Sequence, residues 1–345
     1  MSLATDTLRQ LLTSRLAAPL FRPLMRTRAS IFMLHRFAMP DLGVAGHDPA
    51  TVRRALELLR HDGYDFVALD ALFDDLLHGR TRRRPAVAFT IDDGYVDHAH
   101  VGAPIFAAFD CPVTTFVTSG FLDRTIWFWW DRIEYVFEHT TRRALSAALG
   151  ESTLRYEWTD APTRGRAQAD FTARCKEVPD AVKHAAIAAL AAAADVELPA
   201  QAPARYAPMT WDDLRRVEAK GMSFGPHTVT HPVLARTSDE QSRHELVESW
   251  RRLSAEAARP VPIFCYPNGR LVDFGEREVA TLRELGFVGA VTGTPHGYAE
   301  RLDAPSNGQA PDPFRVRRFA YTESPAELRQ LVSGVERVNQ LLRGA

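Results

Sequence analysis

Short apolar, β-branched runs alternate along this chain with longer stretches whose apolar residues recur at helical spacing. Ile31–Leu34, Phe66–Leu69, Ala86–Ile91, Pro112–Val117, Met222–Gly225, Pro262–Cys265, Phe287–Thr292 and Phe314–Phe319 read as strands. Between them lie helices with recognisable ends. Asp48-Pro49 opens one, with Asp as N-cap and Pro at the first helical position, and Gly63 lies just past its end. Asp70 caps a short helix through Leu77, and Thr210 caps one ending near Gly221. Ser238 with Gln241 forms a capping box for a helix reaching Ala258, Glu276–Leu285 stops at Gly286, and Ser324-Pro325 with Glu327 starts the last. Strand–helix alternation of this kind predicts an α/β protein with a parallel sheet. The number of strands favours a barrel over an open sheet.

The rhythm breaks between about Arg124 and Ala207. That stretch carries Trp127-Phe-Trp-Trp130 and the Ala-rich run Ala185–Ala194, with helix and loop patterns but no convincing strand pair. It reads as a helical insertion, at about 124–207, on one barrel loop. Residues 1–28 form a separate N-terminal helical segment ahead of a barrel spanning 29–345. Arg9, Arg15, Arg22, Arg26 and Arg28 interrupt the apolar core that a signal peptide would need. An amphipathic helix packed on the domain fits this segment best, with peripheral membrane contact as the alternative.

Charge and cysteine content narrow the function. The formal net charge of −1 removes any whole-chain attraction for nucleic acid or an anionic membrane. The basic run Arg80–Arg84 reads as a solvated loop. Three cysteines at wide spacing give neither a disulfide framework nor a cysteine-based zinc site, and Cys111 and Cys265 sit in apolar runs as small buried hydrophobes. No stretch approaches a membrane span. These features lean towards a cytoplasmic enzyme.

Four stretches fall where strands end, the rim on which β/α barrels carry their active sites. Thr90-Ile-Asp-Asp-Gly94 closes a buried strand with two adjacent carboxylates. One can hold a metal while the other serves as general base; a plain Asp-Gly turn is the alternative. In His227-Thr-Val-Thr-His231 the two histidines are four apart, which would place both on one helical face facing one ion; two unrelated polar residues are the alternative. Arg259 precedes a strand ending in Tyr266-Pro-Asn-Gly269, a turn able to aim a backbone N–H at an oxyanion. His35 follows the apolar run Ile31–Leu34; taken alone, it would read as structural. Together, one Asp and two His supply three ligands with positions left open, a second Asp can take a proton from water, and a histidine can protonate a departing nitrogen.

With these motifs the chain resembles the polysaccharide deacetylases, carbohydrate esterase family four. Thr90-Ile-Asp92-Asp93-Gly94 is similar to the family's Thr-Phe-Asp-Asp-Gly, and His227-Thr-Val-Thr-His231 to its His-Ser/Thr-x-x-His. Arg259 and Tyr266-Pro267 are similar to its third motif, and the match spans roughly residues 30 to 320 outside the insertion. The resemblance implies a distorted (β/α) barrel of about seven strands. It implies Asp92 as base, Asp93, His227 and His231 as metal ligands, the Tyr266 N–H as oxyanion donor, and Arg259 supporting Asp92. The cofactor expected is a divalent metal, Zn²⁺ first, with Co, Ni or Fe also suited. No Leu-x-His motif closes the chain. An exopolysaccharide-linked type carries its acid histidine early, which assigns the general acid to His35 and leaves His296 in reserve. Trp129-Trp130-Asp131 is similar to a stretch of the same type, and its aromatics either stack on sugars or pack the insertion. The implied partner is an N-acetylated glycan, the implied reaction N-deacetylation. An O-acetyl esterase, or a carbohydrate-binding protein without activity, is the alternative.

Overall fold

The computed structural model describes residues 11–14, 17–303 and 311–342. Part of the predicted N-terminal segment therefore lies outside the described residues. Within it, Ala18–Phe21 is a short helix and Arg22–Met25 a 3-10 turn leading into the first strand.

Among the described residues the strands, in chain order, are β1 Arg28–Leu34, β2 Asp65–Phe66, β3 Ala86–Asp93, β4 Val113–Val117, β5 Ala144–Leu149, β6 Ser152–Glu157, β7 Met222–Pro226, β8 Ile263–Cys265, β9 Gly289–Val291, β10 Ala299–Glu300 and β11 Phe319–Ala320. β1, β3, β4 and β7 run parallel side by side, with β10 and β11 on the outer edge of β1 and β2 against the start of β3. β8 and β9 form their own parallel pair. Single bridges, Phe224 to Pro260 and Val291 to Val316, tie that pair to β7 on one side and to the chain entering β11 on the other. The circuit thus closes as a distorted barrel of seven strands: β1, β3, β4, β7, β8, β9 and β11.

Strand alternation divides two cores. Ala29 and Ile31, Ala86 and Ala88, Phe116, Ile263 and Cys265, Val291 and Val316 face one another inside the barrel. Phe32, Leu34, Val87, Phe89, Ile91 and Phe224 face outward, onto helices such as Pro49–His61 and Trp211–Glu218. Caps read from the sequence hold these helices. Asp48 Oδ2 accepts from Thr51 N–H at 2.8 Å, and Thr210 with Asp213 forms a reciprocal capping box. Asp70 is not a cap: the helix begins one residue earlier, at Leu69, after Ala68.

Two strand expectations need correction. Phe314–Phe319 is a 3-10 turn, Pro313–Arg315, followed by a single bridge at Val316 and a two-residue strand. Asp312 sets the turn by accepting the Phe314 N–H. The insertion is not purely helical. It holds the antiparallel hairpin β5–β6 among the helices Trp129–His139, Ala161–Cys175 and Asp180–Ala194. Leu145, Ala147 and Leu149 alternate inward while their neighbours are exposed, a period of two that overrides the helix propensity of Ala and Leu. These elements share a hydrophobic core with Trp129, Ile133, Phe137, Trp158, Phe171, Ile187 and Leu190. No helix among the described residues is long and apolar enough to cross a membrane.

Gly225 marks the tightest point of the wall. A Cβ there would lie 2.6 Å from Phe116 Cε1 and 2.8 Å from the Ile263 carbonyl oxygen. Gly225→Ala is expected to destabilise the protein by about 1–3 kcal/mol through overpacking, read as a lower urea midpoint with unchanged m-value.

Candidate active site

Regular alternation on β3 places Ala86, Ala88, Thr90 and Asp92 on the inner face and would turn Asp93 outward. The backbone prevents that. Asp93 adopts φ +95° and Gly94 φ +99°, a region that strains a non-glycine residue, and the Asp93 carboxylate swings to the rim instead. There it meets both histidines. Asp93 Oδ1 is 3.7 Å from His227 Nε2 and 3.5 Å from His231 Nε2, and the two ring nitrogens are 3.1 Å apart.

The expected helical face for His227 and His231 is absent. The pair lies on an irregular turn after β7, with Thr228 at φ +67° and His231 at φ +57°. Side chains stabilise the turn. The Thr228 hydroxyl accepts the His231 N–H at 3.0 Å. Buried Glu245 accepts the Val229 and Thr230 N–H groups at 2.7 and 2.9 Å and the Thr230 hydroxyl at 2.6 Å. The turn brings the ring nitrogens as close as a helix would, because its backbone doubles back.

This triangle fits a divalent cation. Ligand atoms ~2.0–2.2 Å from a tetrahedral ion stand about 3.4 Å apart, and the three edges bracket that value. The protonation states also suit it. His227 Nδ1 lies 2.7 Å from the Cys265 carbonyl oxygen, to which it donates, leaving the Nε2 lone pair aimed at the triangle. Burial pushes His227 down to about 4, against the pull of Asp92. Burial, with His227 beside it, also lowers His231. Burial and then the Asp92 and Asp131 carboxylates raise Asp93 well above the usual carboxylate range, a cost that a bound cation would reverse.

Asp92 is governed by a residue the motifs did not supply. Arg318 Nη1 donates to Asp92 Oδ1 and Nη2 to Oδ2, both at 2.8 Å, in a two-pronged pair shut away from water. Arg318 also donates to Thr90 Oγ1 at 2.9 Å and to the Thr292 carbonyl at 3.0 Å. Burial alone would raise Asp92, but the Arg318 charge and hydrogen bonds hold it well below the usual carboxylate range. Arg259, expected in this role, is exposed at the entrance to β8, and its backbone N–H is held by Glu218 Oε1 at 2.8 Å. Arg318 lies two residues after inward-facing Val316 and so shares the inner face with Asp92. An arginine enclosed in Phe314-Arg-Val-Arg-Arg-Phe319 was the available sequence signal.

The remaining expected residues line the same cleft, of about 920 Å³, with one exception. His35 sits at the end of β1, enclosed by the cleft walls yet open to its lumen. That enclosure lowers its pKa, while the charge of Asp92 pulls the other way. His296 is exposed and outside the lining. The Tyr266 ring turns away to stack on Phe274 at 3.6 Å, and its N–H makes a long 3.4 Å bond to the Val291 carbonyl, so what Tyr266 offers the cleft is backbone. Trp130 packs edge-on against His231 at 4.6 Å and donates to Tyr95 OH, which donates to buried Asp131 at 2.7 Å. Burial lifts Asp131 to about 7, with the Tyr95 hydrogen bond opposing. Trp129 belongs to the core of the insertion.

A barrel rim with this donor triangle beside an ionised carboxylate defines a hydrolase site. A family profile, polysaccharide deacetylase, matches residues 79–290, more than half of the chain. The chain therefore belongs to the polysaccharide deacetylase family, hydrolases that remove acetyl groups from carbohydrates. No curated protein matches it. Among solved structures it is similar to the Streptococcus pyogenes deacetylase PplD in complex with acetate, with 17% identity over 89% of this chain and 99% of that one and a TM-score of 0.57. IcaB from Ammonifex degensii has 14% identity, coverage of 89% and 97%, and a TM-score of 0.53. A de-N-acetylase from Aggregatibacter actinomycetemcomitans has 14% identity, coverage of 86% and 96%, and a TM-score of 0.50. At these identities the likeness is one of fold.

Arg318→Leu leaves Asp92 a buried, unpaired carboxylate and is expected to cost about 3–5 kcal/mol at neutral pH. In wild type the folded pKa of Asp92 lies below its unfolded value, so the pair stabilises above the unfolded pKa and is lost as pH falls through the folded one. In the variant burial is unopposed and the sign inverts, so the deficit in urea unfolding should be largest at pH 7 and above and shrink as pH falls. Adding Asp92→Asn should recover most of it.

Proposed function

We propose that this protein is a metal-dependent carbohydrate N-deacetylase acting on an amino-sugar exopolysaccharide or oligosaccharide. The observation that carries this reading is the Asp93–His227–His231 triangle beside the ionised Asp92. Asp93, His227 and His231 would hold the ion, Zn²⁺ first among the divalent metals. A cation in that position supplies Lewis-acid polarisation of the acetyl carbonyl and lowers the pKa of water.

The chain's own residues do the rest. Arg318 fixes both oxygens of Asp92 and keeps it charged, so the carboxylate stands ready to take a proton from the attacking water. The backbone at Tyr266 borders the position where the oxyanion develops. His35, on the same cleft, gives a proton to the departing nitrogen, and the proton held by Asp92 restores it through solvent. The balance is one water and one amide in, one acetate and one ammonium out.

N-acetyl substrates are favoured because an amide nitrogen leaves only when protonated, and His35, which lines the cleft, is the residue we assign to that task; a fold neighbour is itself named a de-N-acetylase. The O-acetyl ester reading draws on one observation, the lowered pKa of His35, since an ester depends less on an acid. A binding-only role is disfavoured because the base and all three donors are present.

Asp92→Asn should reduce acetate release about 10²–10⁴-fold while the protein, measured by elemental analysis, still binds zinc. His227→Ala should lose both. His35→Ala should depress release from N-acetyl glycans far more than from O-acetyl glycans. Wild-type rates in Asp92→Asn would remove the base assignment, and an equal effect on the two substrates in His35→Ala would remove the acid.

A further inference from the structure

One wall of the cleft comes from the insertion. Gln168, Thr172 and Lys176 recur at intervals of four along the helix Ala161–Cys175 and its C-cap, and all three line the cleft. They face the barrel rim rather than solvent at large: each is partly buried.

Lys176 differs from the other cations of the cleft. Arg318 is bound to Asp92 and Arg36 to Asp97. Arg205 is bound to Glu134 and Glu138, and Arg270 to Asp273 and Glu177. The Lys176 ammonium makes no ion pair or hydrogen bond among the described residues. Its own pKa is lowered, by burial first and then by neighbouring Arg270, while the carboxylates of Asp273 and Glu177, both engaged by Arg270, oppose the shift. It lines the same cleft as His35, His227 and His231. A lysine just past a helix C-terminus is favoured by the helix dipole alone, but the dipole does not require its side chain to run along a cleft wall beside a second cation.

We propose that Lys176 forms an anion subsite that selects glycans carrying a negative group close to the acetylated amino sugar. This inference rests on the N-deacetylase reading and names its substrate class more narrowly. Two sources share the chemistry: the carboxylate of a uronic acid in the polymer, and the diphosphate of a lipid-linked sugar. The exposed aliphatic pair Leu271 and Val272, next to Arg270, would suit the second.

The test compares zinc-loaded wild type with Lys176→Met and Lys176→Arg on three acetylated substrates. They are a neutral N-acetylglucosamine trisaccharide, a hyaluronan tetrasaccharide, and N-acetylglucosamine linked through diphosphate to a short polyprenol. Wild type should prefer at least one anionic substrate, and Lys176→Met should raise KM for it about tenfold, the size of a lost charge-assisted hydrogen bond. Its kcat, and its kinetics on the neutral trisaccharide, should not change. Lys176→Arg should retain the preference. Added salt should raise KM for the anionic substrate in wild type but not in Lys176→Met. Whichever anionic substrate responds identifies the source.

Equal use of all three substrates by wild type, or unchanged KM in Lys176→Met, overturns the subsite and leaves the deacetylase reading intact. Direct binding of the two anionic ligands by calorimetry keeps the subsite testable if no substrate is turned over, an outcome that would instead remove the deacetylase reading. Equal affinity of wild type and Lys176→Met for both ligands would again overturn the subsite.

Discussion

The pairing of Arg318 with Asp92 is the interaction around which the barrel interior is organised. A guanidinium and a carboxylate, both withdrawn from water, are tolerable only because each satisfies the other and Arg318 spends its remaining donors on Thr90 and the Thr292 carbonyl. With Arg318 at the approach to β11, its partners on β3 and on the chain after β9 make the pair span strands whose backbone ladder is sparse. Beneath it the barrel is filled by small and branched side chains. Above it begins the cleft. The ion pair is thus the boundary between a packed interior and a reactive surface.

The metal-binding triangle depends on irregular backbone, not on a regular element. Asp93 must leave the strand pattern to reach the rim, and the histidines sit on a turn that holds its shape only because Glu245 and Thr228 satisfy its amides. Strain at Asp93 and the crowding of three donors within 3.7 Å are both unfavourable in the absence of a cation. Such arrangements persist where function requires them and the surrounding packing enforces them. Here enforcement comes from β3 and β7 on one side and from Trp130 and Phe128 of the insertion against His231 on the other.

Much of this was legible in the sequence. The alternation of strands and capped helices announced the α/β barrel, and the two short motifs brought Asp92, Asp93, His227 and His231 to one place. What escaped was set by tertiary context. Arg318 lies in a segment with no motif; its significance comes from inner-face alternation after Val316, and that phase is hidden by the turn at Pro313–Arg315. Arg259 looked apt by its order in the chain, but the strand it precedes carries it to the outside. The β5–β6 hairpin was masked by alanine and leucine, which speak for helix until packing partners decide otherwise. The spacing of His227 and His231 gave the right neighbours for the wrong reason, since a doubled-back turn and a helix can present the same two nitrogens.

The insertion owns its hydrophobic centre, built from Trp129, Phe137, Trp158, Phe171 and Leu190 with little borrowed from the barrel. Its cleft-facing Gln168, Thr172 and Lys176 are therefore side chains on the outside of an independently stabilised body. Evolution can rewrite that outer face residue by residue while the catalytic rim stays constant. In a barrel of this kind, diversification of recognition and conservation of chemistry are assigned to different pieces of the same chain.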